Sequence, residues 1–410
     1  MVDRFAGALA LLRHRLGALG RGWTPEPKSA SIQRQDAAHW ARQAPRAGRP
    51  EGAVPKRLGW AALCVVLAAC APVTIRPDLD PKITEAEKEA QRELALREQL
   101  RRQERADRVG FRVLTAAAEL CEKKGAVTGL RVLSADLYRD EWRKTASRLY
   151  GLERGAVVAH VVPGSPAASA GLQPGDVLTA IEGRTLGGPE GIARRVSEAL
   201  AGMVPGKPHS VQYVRAGEPR SASLVPVAAC NYPVIVTADS AVNAFADGRR
   251  ILITGGMMRF TESDEELALV IGHELAHNAM GHIEKRMGNS LIGLLIGAVI
   301  SAASGVDVTR LGGDLGALAF SREFESEADY VGLYYVARAG YPVEHAAAFW
   351  RRMAIEHPKA IGHGVTHPDT ASRFVALEAT AREIAARRGA GEPLVPRRKD
   401  SAPEAGAPTK

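Results

Sequence analysis

Cysteine is scarce in this chain, with four in 410 residues. Apolar residues never run unbroken for the roughly 20 positions that a membrane-spanning helix needs. No tetratricopeptide period follows the central region, which excludes a helical-repeat extension there. Charge of one sign is also lacking over most of the chain. Residues 1–57 hold 11 Lys and Arg against 4 Asp and Glu, a net of +7 out of the whole chain's +8. The remainder is close to neutral, so the overall positive balance gives no argument for nucleic-acid binding, and none is expected.

What cysteine there is falls in informative places. Lys56-Arg57, the apolar run Leu58 to Leu67 and Leu67-Ala68-Ala69-Cys70 have the order of a bacterial lipoprotein signal: a basic start, a short hydrophobic core and small residues before a cysteine. Cleavage before Cys70 and acylation of its thiol would tether the mature protein to a membrane by lipid. Ala71, not Asp, follows the cysteine, and the resemblance to Gram-negative lipoproteins then implies the periplasmic face of the outer membrane. Met1 to Pro55 fit poorly ahead of such a signal; they form a long basic extension, or translation starts later, near Val54, the preferred reading. With Cys64 inside the signal core and Cys70 as the lipid site, Cys121 and Cys230 remain. A disulfide between them would staple the ends of one block of sequence in an oxidising compartment; two buried free thiols are the alternative.

The strongest chemical signal is His273-Glu274-Leu275-Ala276-His277, inside a stretch that reads as helix from about Glu265 to Met287. Residues four apart share a helix face, so both imidazoles can reach one cation with Glu274 beside it. Val270 and Ile271 make the preceding turn apolar, and a buried helix would not leave two His and a Glu without partners. Ser321 to Asp329 offers a second, acidic helix for a third ligand, and three protein ligands plus a water make an open catalytic zinc site. Both Glu325 and Glu327 are available there. His282 lies five residues past His277, off the ligand face of a continuous helix, and reads as structural; His363 is a weaker candidate still.

These motifs together resemble peptidase family M48, in its HtpX, BepA and LoiP-like branch. The resemblance rests on the HELAH string, Glu325 to Asp329, Val242-Asn243-Ala244-Phe245-Ala246, Ile251 to Gly256, Gly332-Leu333-Tyr334, Ala339-Gly340-Tyr341 and Thr366-His367-Pro368, and spans about Cys230 to Ile384. It implies one Zn2+ held by His273, His277 and Glu325, with Glu274 as general base and Asp329 orienting a histidine ligand. It further implies that His367 caps the metal reversibly and that Arg373 lines the cleft, where it could stabilise the oxyanion.

A second signature lies between Cys121 and Cys230. Gly155 to Val162 alternates like a strand, and Ser165-Pro166-Ala167 through Gly171-Leu172, Pro174-Gly175-Asp176-Val177-Leu178 and Ile181-Glu182-Gly183 closely resembles the PDZ domains of bacterial envelope proteases. Glu190 to Leu200 reads as the following helix. Such domains bind extended peptides by adding a strand to a sheet edge. Tyr150-Gly151-Leu152 is the expected peptide-binding loop, although it departs from the usual Gly-Leu-Gly-Phe form.

The expected architecture is α+β: a mainly helical zincin-type metallopeptidase, residues 109–124 and 230–384, with a small β-rich PDZ domain inserted at 125–228. Residues 1–69 precede it as extension and signal, 70–108 as lipid anchor and solvated charged helix, and 387–410 follow as a disordered tail. The apolar run Leu291 to Ile300 is expected to be a buried or cleft-covering helix. The function implied is a zinc metalloendopeptidase acting on unfolded or misassembled envelope proteins. A PDZ adaptor or chaperone with a mostly latent metal site is the alternative, disfavoured because a binding module needs no general base. If Cys70 is the lipid site, Cys70→Ser should abolish metabolic labelling with palmitate and leave the signal uncleaved, and normal processing of that variant would rule the anchor out.

Overall fold

The computed structural model describes Thr74 and residues 77–285, 321–356 and 371–398. The signal region with Cys64 and Cys70, the run Leu291 to Ile300, His363, His367 and residues 399–410 lie outside the described residues. The fold is α+β, and no helix among the described residues is long and apolar enough to cross a membrane.

Helix α1 (Pro81–Ala116) begins where Asp80 caps it, its carboxylate accepting the Lys82 amide at 2.8 Å with Pro81 in the first turn. The first turns are exposed, as expected of a solvated helix. From Leu96 to Arg108 the expectation fails, because Leu96, Gln103 and Ala106 are buried; Val109, Val113 and Leu114, in the part expected to join the body, are buried as well. The apolar positions are sparse because α1 also buries Gln103 and Gly110 and uses polar groups to make contacts.

The chain then leaves through β1 (Lys124–Val127) into a block built of β2 (Leu130–Leu133), α2 (Asp140–Tyr150), β3 (Ala156–Val161), α3 (Pro166–Ser169), β4 (Val177–Ile181), β5 (Arg184–Thr185), α4 (Ile192–Ala201), β6 (His209–Arg215) and β7 (Glu218–Leu224). It returns through β8 (Val227–Cys230), which pairs antiparallel with β1, Lys124 opposite Cys230. Cys121 and Cys230 are bonded at the base of this ribbon, with their Cα atoms 5.5 Å apart. A crosslink at a sequence separation of 109 restricts the unfolded chain by about 4–5 kcal/mol in the chain-entropy treatment.

The block's sheet runs β2-β3-β4-β6-β7, with β5 on β4. Its core joins Ile192 and Val196 of α4 to Val158, Leu178, Ile181 and Val211. Leu96 of α1 packs with Leu133, Leu152, Val157 and Val177, so α1 is part of this block's packing too.

The remaining strands, β9 (Val234–Thr237), β10 (Ala244–Ala246) and β11 (Ile251–Thr254), form a sheet in the order β10-β11-β9. Here β11 runs parallel to β9 and antiparallel to β10. The β9 edge would leave backbone groups unpaired, and α1 closes it: the Gln103 amide donates to Val234 O at 3.0 Å and accepts from Val236 N at 2.9 Å. Helices α5 (Gly255–Phe260), α6 (Asp264–Ala279), α7 (Ser321–Arg338), α8 (Ala346–Glu356) and α9 (Ala371–Gly389) follow.

Helix α6 starts at Ser263, whose hydroxyl accepts from Glu266 N at 3.3 Å while the Glu266 carboxylate accepts from Glu262 N at 2.8 Å. Asp264, Glu265 and Glu266 place negative charge at the positive end of the helix dipole. The helix ends at Ala279, well short of Met287, in a turn with Gly281 at φ 67°. Residues after Arg387 are not a disordered tail as far as Arg398. Helix α9 continues to Gly389, Leu394 packs on the core, and Arg397 N donates to the Tyr330 hydroxyl at 3.1 Å. Composition concealed this because two of the anchors, Tyr330 and Arg338, stand on α7, far away in sequence, while Arg387 of α9 supplies others.

Helices α6 and α7 cross at glycines. A Cβ on Gly272 would sit 2.8 Å from the Gly332 carbonyl oxygen and 2.6 Å from Val336. Backbone cannot swing aside as a side chain can, so Gly272→Ala should force the helices apart and cost about 1–3 kcal/mol. Urea unfolding would measure it, and an unchanged midpoint would mean the crossing tolerates the methyl.

Candidate metal centre

The crossing brings the predicted residues together. His273 and His277 lie one turn apart on α6, directly after Gly272, and Glu325 and Asp329 lie one turn apart on α7. All four are buried, as is Glu274. His273 Nε2 is 3.3 Å from Glu325 Oε2, His277 Nε2 is 3.3 Å from Glu325 Oε1, and the two Nε2 atoms are 3.1 Å apart. Donors bound at about 2.0–2.1 Å to one tetrahedral ion lie about 3.3 Å from each other, so this spacing fits a zinc ion. Nitrogen and carboxylate oxygen donors suit it as well. Among the described residues this is the one cluster of His, Cys, Asp or Glu that could hold a metal ion. Glu327, the rival ligand, turns away to His282 Nε2 at 2.8 Å.

Electrostatics point the same way. Burial alone would lower the His273 imidazole, but hydrogen bonds and charge from Asp329 and Glu325 hold it up at about 10. Burial lowers His277, with the neighbouring His273 adding to the effect, while the Glu325 and Glu274 charges oppose it. The centre of the cluster therefore favours positive charge, which a dication can supply in place of a proton.

The structure places Asp329 Oδ1 3.0 Å from His273 Nδ1, the ring atom other than the one that faces Glu325. A carboxylate there fixes the tautomer that leaves Nε2 free to coordinate. Arg373 requires a correction. It is buried, and its Nε and Nη2 donate to Asp329 Oδ2 and Oδ1 at 2.6 and 2.8 Å, with Nη2 3.9 Å from Glu325 Oε2. Its guanidinium lies 4.7 Å from the Trp350 ring centroid, and the His273 ring is 5.1 Å from the same indole. The side chain is committed to holding Asp329 instead of facing a reacting oxygen. Its position just past the His367 segment suggested the cleft, and its partner 44 residues upstream could not be read from spacing.

His282, read as structural, lies close to the ligands: its Nδ1 is 3.0 Å from His277 Nδ1, and its ring stacks on Phe324 at 4.6 Å. The helix-face argument assumed that α6 continued, whereas the turn at Met280 and Gly281 brings the ring back. The signal available in sequence was the glycine itself, a frequent helix terminator. Tyr150-Gly151-Leu152 is not at a sheet edge. Gly151 ends α2 at φ 67° and donates to Ser147 O, and Leu152 is buried among Leu96, Leu133 and Val157. The sheet's edge near α4 is β2, preceded by Gly129 at φ 76°. A Cβ on Gly129 would come within 2.4 Å of the Ser165 side chain.

Residues 220–381 match the model for Peptidase family M48, and residues 136–225 match that for the PDZ domain. The mitochondrial metalloendopeptidase OMA1 of Arabidopsis thaliana is 31% identical over 146 residues, 35% of this chain and 30% of the relative. The Schizosaccharomyces pombe protein of the same name is 29% identical over 165 residues, 37% of this chain and 48% of the relative. The beta-barrel assembly-enhancing protease of Yersinia pestis is 27% identical over 127 residues, 28% of this chain and 26% of the relative. This chain thus spans less than half the length of each of these curated relatives.

The Asp329–Arg373 pair yields a test. Burial opposes ionisation of Asp329, yet the Arg373 charge and the His273 hydrogen bond hold its carboxyl below the usual value. A depressed carboxyl contributes stability above its unfolded pKa of about 3.9 and loses it as pH falls through the folded value. Arg373→Met should therefore cost about 3–5 kcal/mol at pH 7, and the deficit should narrow as pH drops below about 4. Denaturant titrations at both pH values measure it, and an equal deficit at both would reject the pairing as the cause.

Proposed function

We propose that this protein is a zinc-dependent metalloendopeptidase of the bacterial cell envelope, hydrolysing peptide bonds of misfolded or misassembled envelope proteins. The observation that carries the reading is the convergence of His273 Nε2, His277 Nε2 and the Glu325 carboxylate at the spacing of one ion's ligands, on helices fixed by a backbone contact. Bound there, zinc would leave one coordination position for water or substrate, acidify the water and polarise the scissile carbonyl.

The chain's own groups do the rest. Glu274, buried next to His273 and close enough for its charge to act on His277, takes the proton from the attacking water and returns it to the departing amine. No side chain need be acylated. Asp329 holds His273 at Nδ1, and Arg373 holds Asp329. Two carboxylates thus have separate tasks, one as base and one as orienter.

The inserted domain would supply substrate. Strand β2 is a sheet edge next to α4, and its Leu130 and Val132 pack partly exposed against the domain core. An extended peptide could add there as a further strand, with side-chain specificity from that apolar lining. We assign the peptide edge to β2 in place of residues 150–152.

Three observations support the envelope and the lipid anchor. The Cys121–Cys230 disulfide belongs to an oxidising compartment. The sequence around Cys70 reads as a lipobox, and the Yersinia pestis relative carries the name beta-barrel assembly-enhancing protease. On this reading the mature protein is tethered at the periplasmic face of the outer membrane.

Casein degradation that stops on chelation and returns with zinc is the first expectation. Glu274→Gln removes the base but no ligand, so it should retain zinc and its unfolding temperature while losing about 10²–10⁴-fold in turnover. Glu325→Ala should lose the metal. Full turnover by Glu274→Gln would overturn the mechanism, and loss of zinc in Glu327→Ala but not in Glu325→Ala would reassign the ligand.

A further inference from the structure

The mechanism above leaves a buried imidazole unused. His282 is almost wholly buried, stacked on Phe324, and bridges His277 and Glu327. We propose that His282 is a positioning residue which, with Glu327, fixes the tautomer and ring plane of His277; the inference rests on the zinc reading of the site.

His277 turns Nε2 toward Glu325 and His273, so Nε2 is the coordinating atom and needs its lone pair. A neutral imidazole with a free Nε2 carries its proton on Nδ1. The partner of that N–H is His282 Nδ1 at 3.0 Å, which must then accept. His282 consequently carries its own proton on Nε2, and the atom facing Nε2 at 2.8 Å is the Glu327 carboxylate oxygen, an acceptor. Every contact agrees with one direction of donation, from His277 through His282 to Glu327. Reversing the first bond would put a proton on the coordinating nitrogen of His277.

The support is built rather than incidental. The end of α6 is fastened by Asn278, whose Oδ1 accepts from Gly248 N at 2.8 Å, whose Nδ2 donates to Arg250 O at 3.0 Å, and whose carbonyl accepts from the Tyr232 hydroxyl at 3.2 Å. The turn at Gly281 follows directly, so His282 leaves a fixed base. Phe324 and Glu327, which hold the far side of the ring, flank Glu325 on α7. Helix α7 therefore supplies the third ligand, the Asp329 that supports His273 and the Glu327 that backs His282 against His277. The supports differ in kind: His273 meets an anion directly, whereas His277 meets a neutral ring backed by a half-exposed carboxylate.

Zinc affinity by chelator competition tests this in the full chain. His282→Phe keeps an aromatic ring for the stack on Phe324 but removes the acceptor, and should weaken zinc binding about 10–100-fold. Glu327→Leu, at a partly exposed position, should weaken it in the same direction with its thermal unfolding little changed, and serves if His282→Phe does not fold. Glu327→Gln restores an acceptor oxygen and should recover most of the loss. Nitrogen-15 spectra of the zinc-loaded wild type should show protons on His277 Nδ1 and His282 Nε2. A wild type that binds no zinc overturns the metal reading and this inference with it. Zinc binding by the wild type with unchanged affinity in both His282→Phe and Glu327→Leu overturns this inference alone.

Discussion

The metal centre depends on how closely two backbones approach. Gly272 and Gly332 meet where α6 and α7 cross, and a methyl on either would lie within about 3.0 Å of the other helix's backbone. Along α7, Glu325, Asp329, Gly332 and Val336 follow one another at intervals of four, three and four, which is one helix stripe. That stripe faces α6, so the positions that pack the helices and those that meet the histidines are the same face. A larger residue at the crossing would lengthen every distance along it. Carboxylate side chains are short, and a ligand geometry near 3.3 Å has little slack. The glycines are therefore part of the site although neither has a side chain to contribute.

Helix α1 imposes a second constraint by belonging to both halves of the fold. Arg105 donates to Ser263 O at 2.5 Å and Thr261 O at 3.0 Å and pairs with Asp264, holding the start of the helix that carries both histidines. Half a turn on, Asp107 pairs with Arg131 of β2, the edge to which we assign peptide binding. On the same helix, Gln103 closes the β9 edge. Exposed ion pairs alone would contribute little. The buried amide and the capped helix end are different, because replacing either partner would leave backbone groups without hydrogen bonds inside the protein. The inserted domain is thus joined to the helices of the candidate metal centre by more than its two connecting strands and their disulfide.

What could be read in the sequence was whatever local periodicity encodes. The HELAH spacing places two imidazoles on one face in any helix, and the glycine- and proline-punctuated string from Ser165 to Gly183 marks its strands by where turns must fall. Glu325 could be separated from Glu327 only through the resemblance, since one helix offered both. What was not legible depended on breaks and on distant partners. The contact between His282 and His277 could not be read because the helix was carried through Met280 and Gly281, where it stops. Arg373 looked like a cleft residue because nothing near it in sequence announces Asp329. Helix α1 looked solvated because hydropathy cannot tell that Gln103, Arg105 and Asp107 have backbone and ionic partners 24 to 158 residues away.

Charge balance explains why a buried arginine stands behind the site at all. Neutral His273 and His277 contribute no charge as ligands, and Asp329 would add an anion where little water can screen it. Arg373 cancels that anion through two hydrogen bonds while leaving its oxygen at His273 Nδ1 in place. Glu325 is then the carboxylate that faces both imidazoles, and its charge offsets part of that of a dication. Without Arg373 beside it, the buried Asp329 carboxylate would lose the charge that offsets its burial and would hold His273 Nδ1 less firmly. On the proposed reading Arg373 therefore serves the site through Asp329 and His273, and its burial is compatible with a functional role.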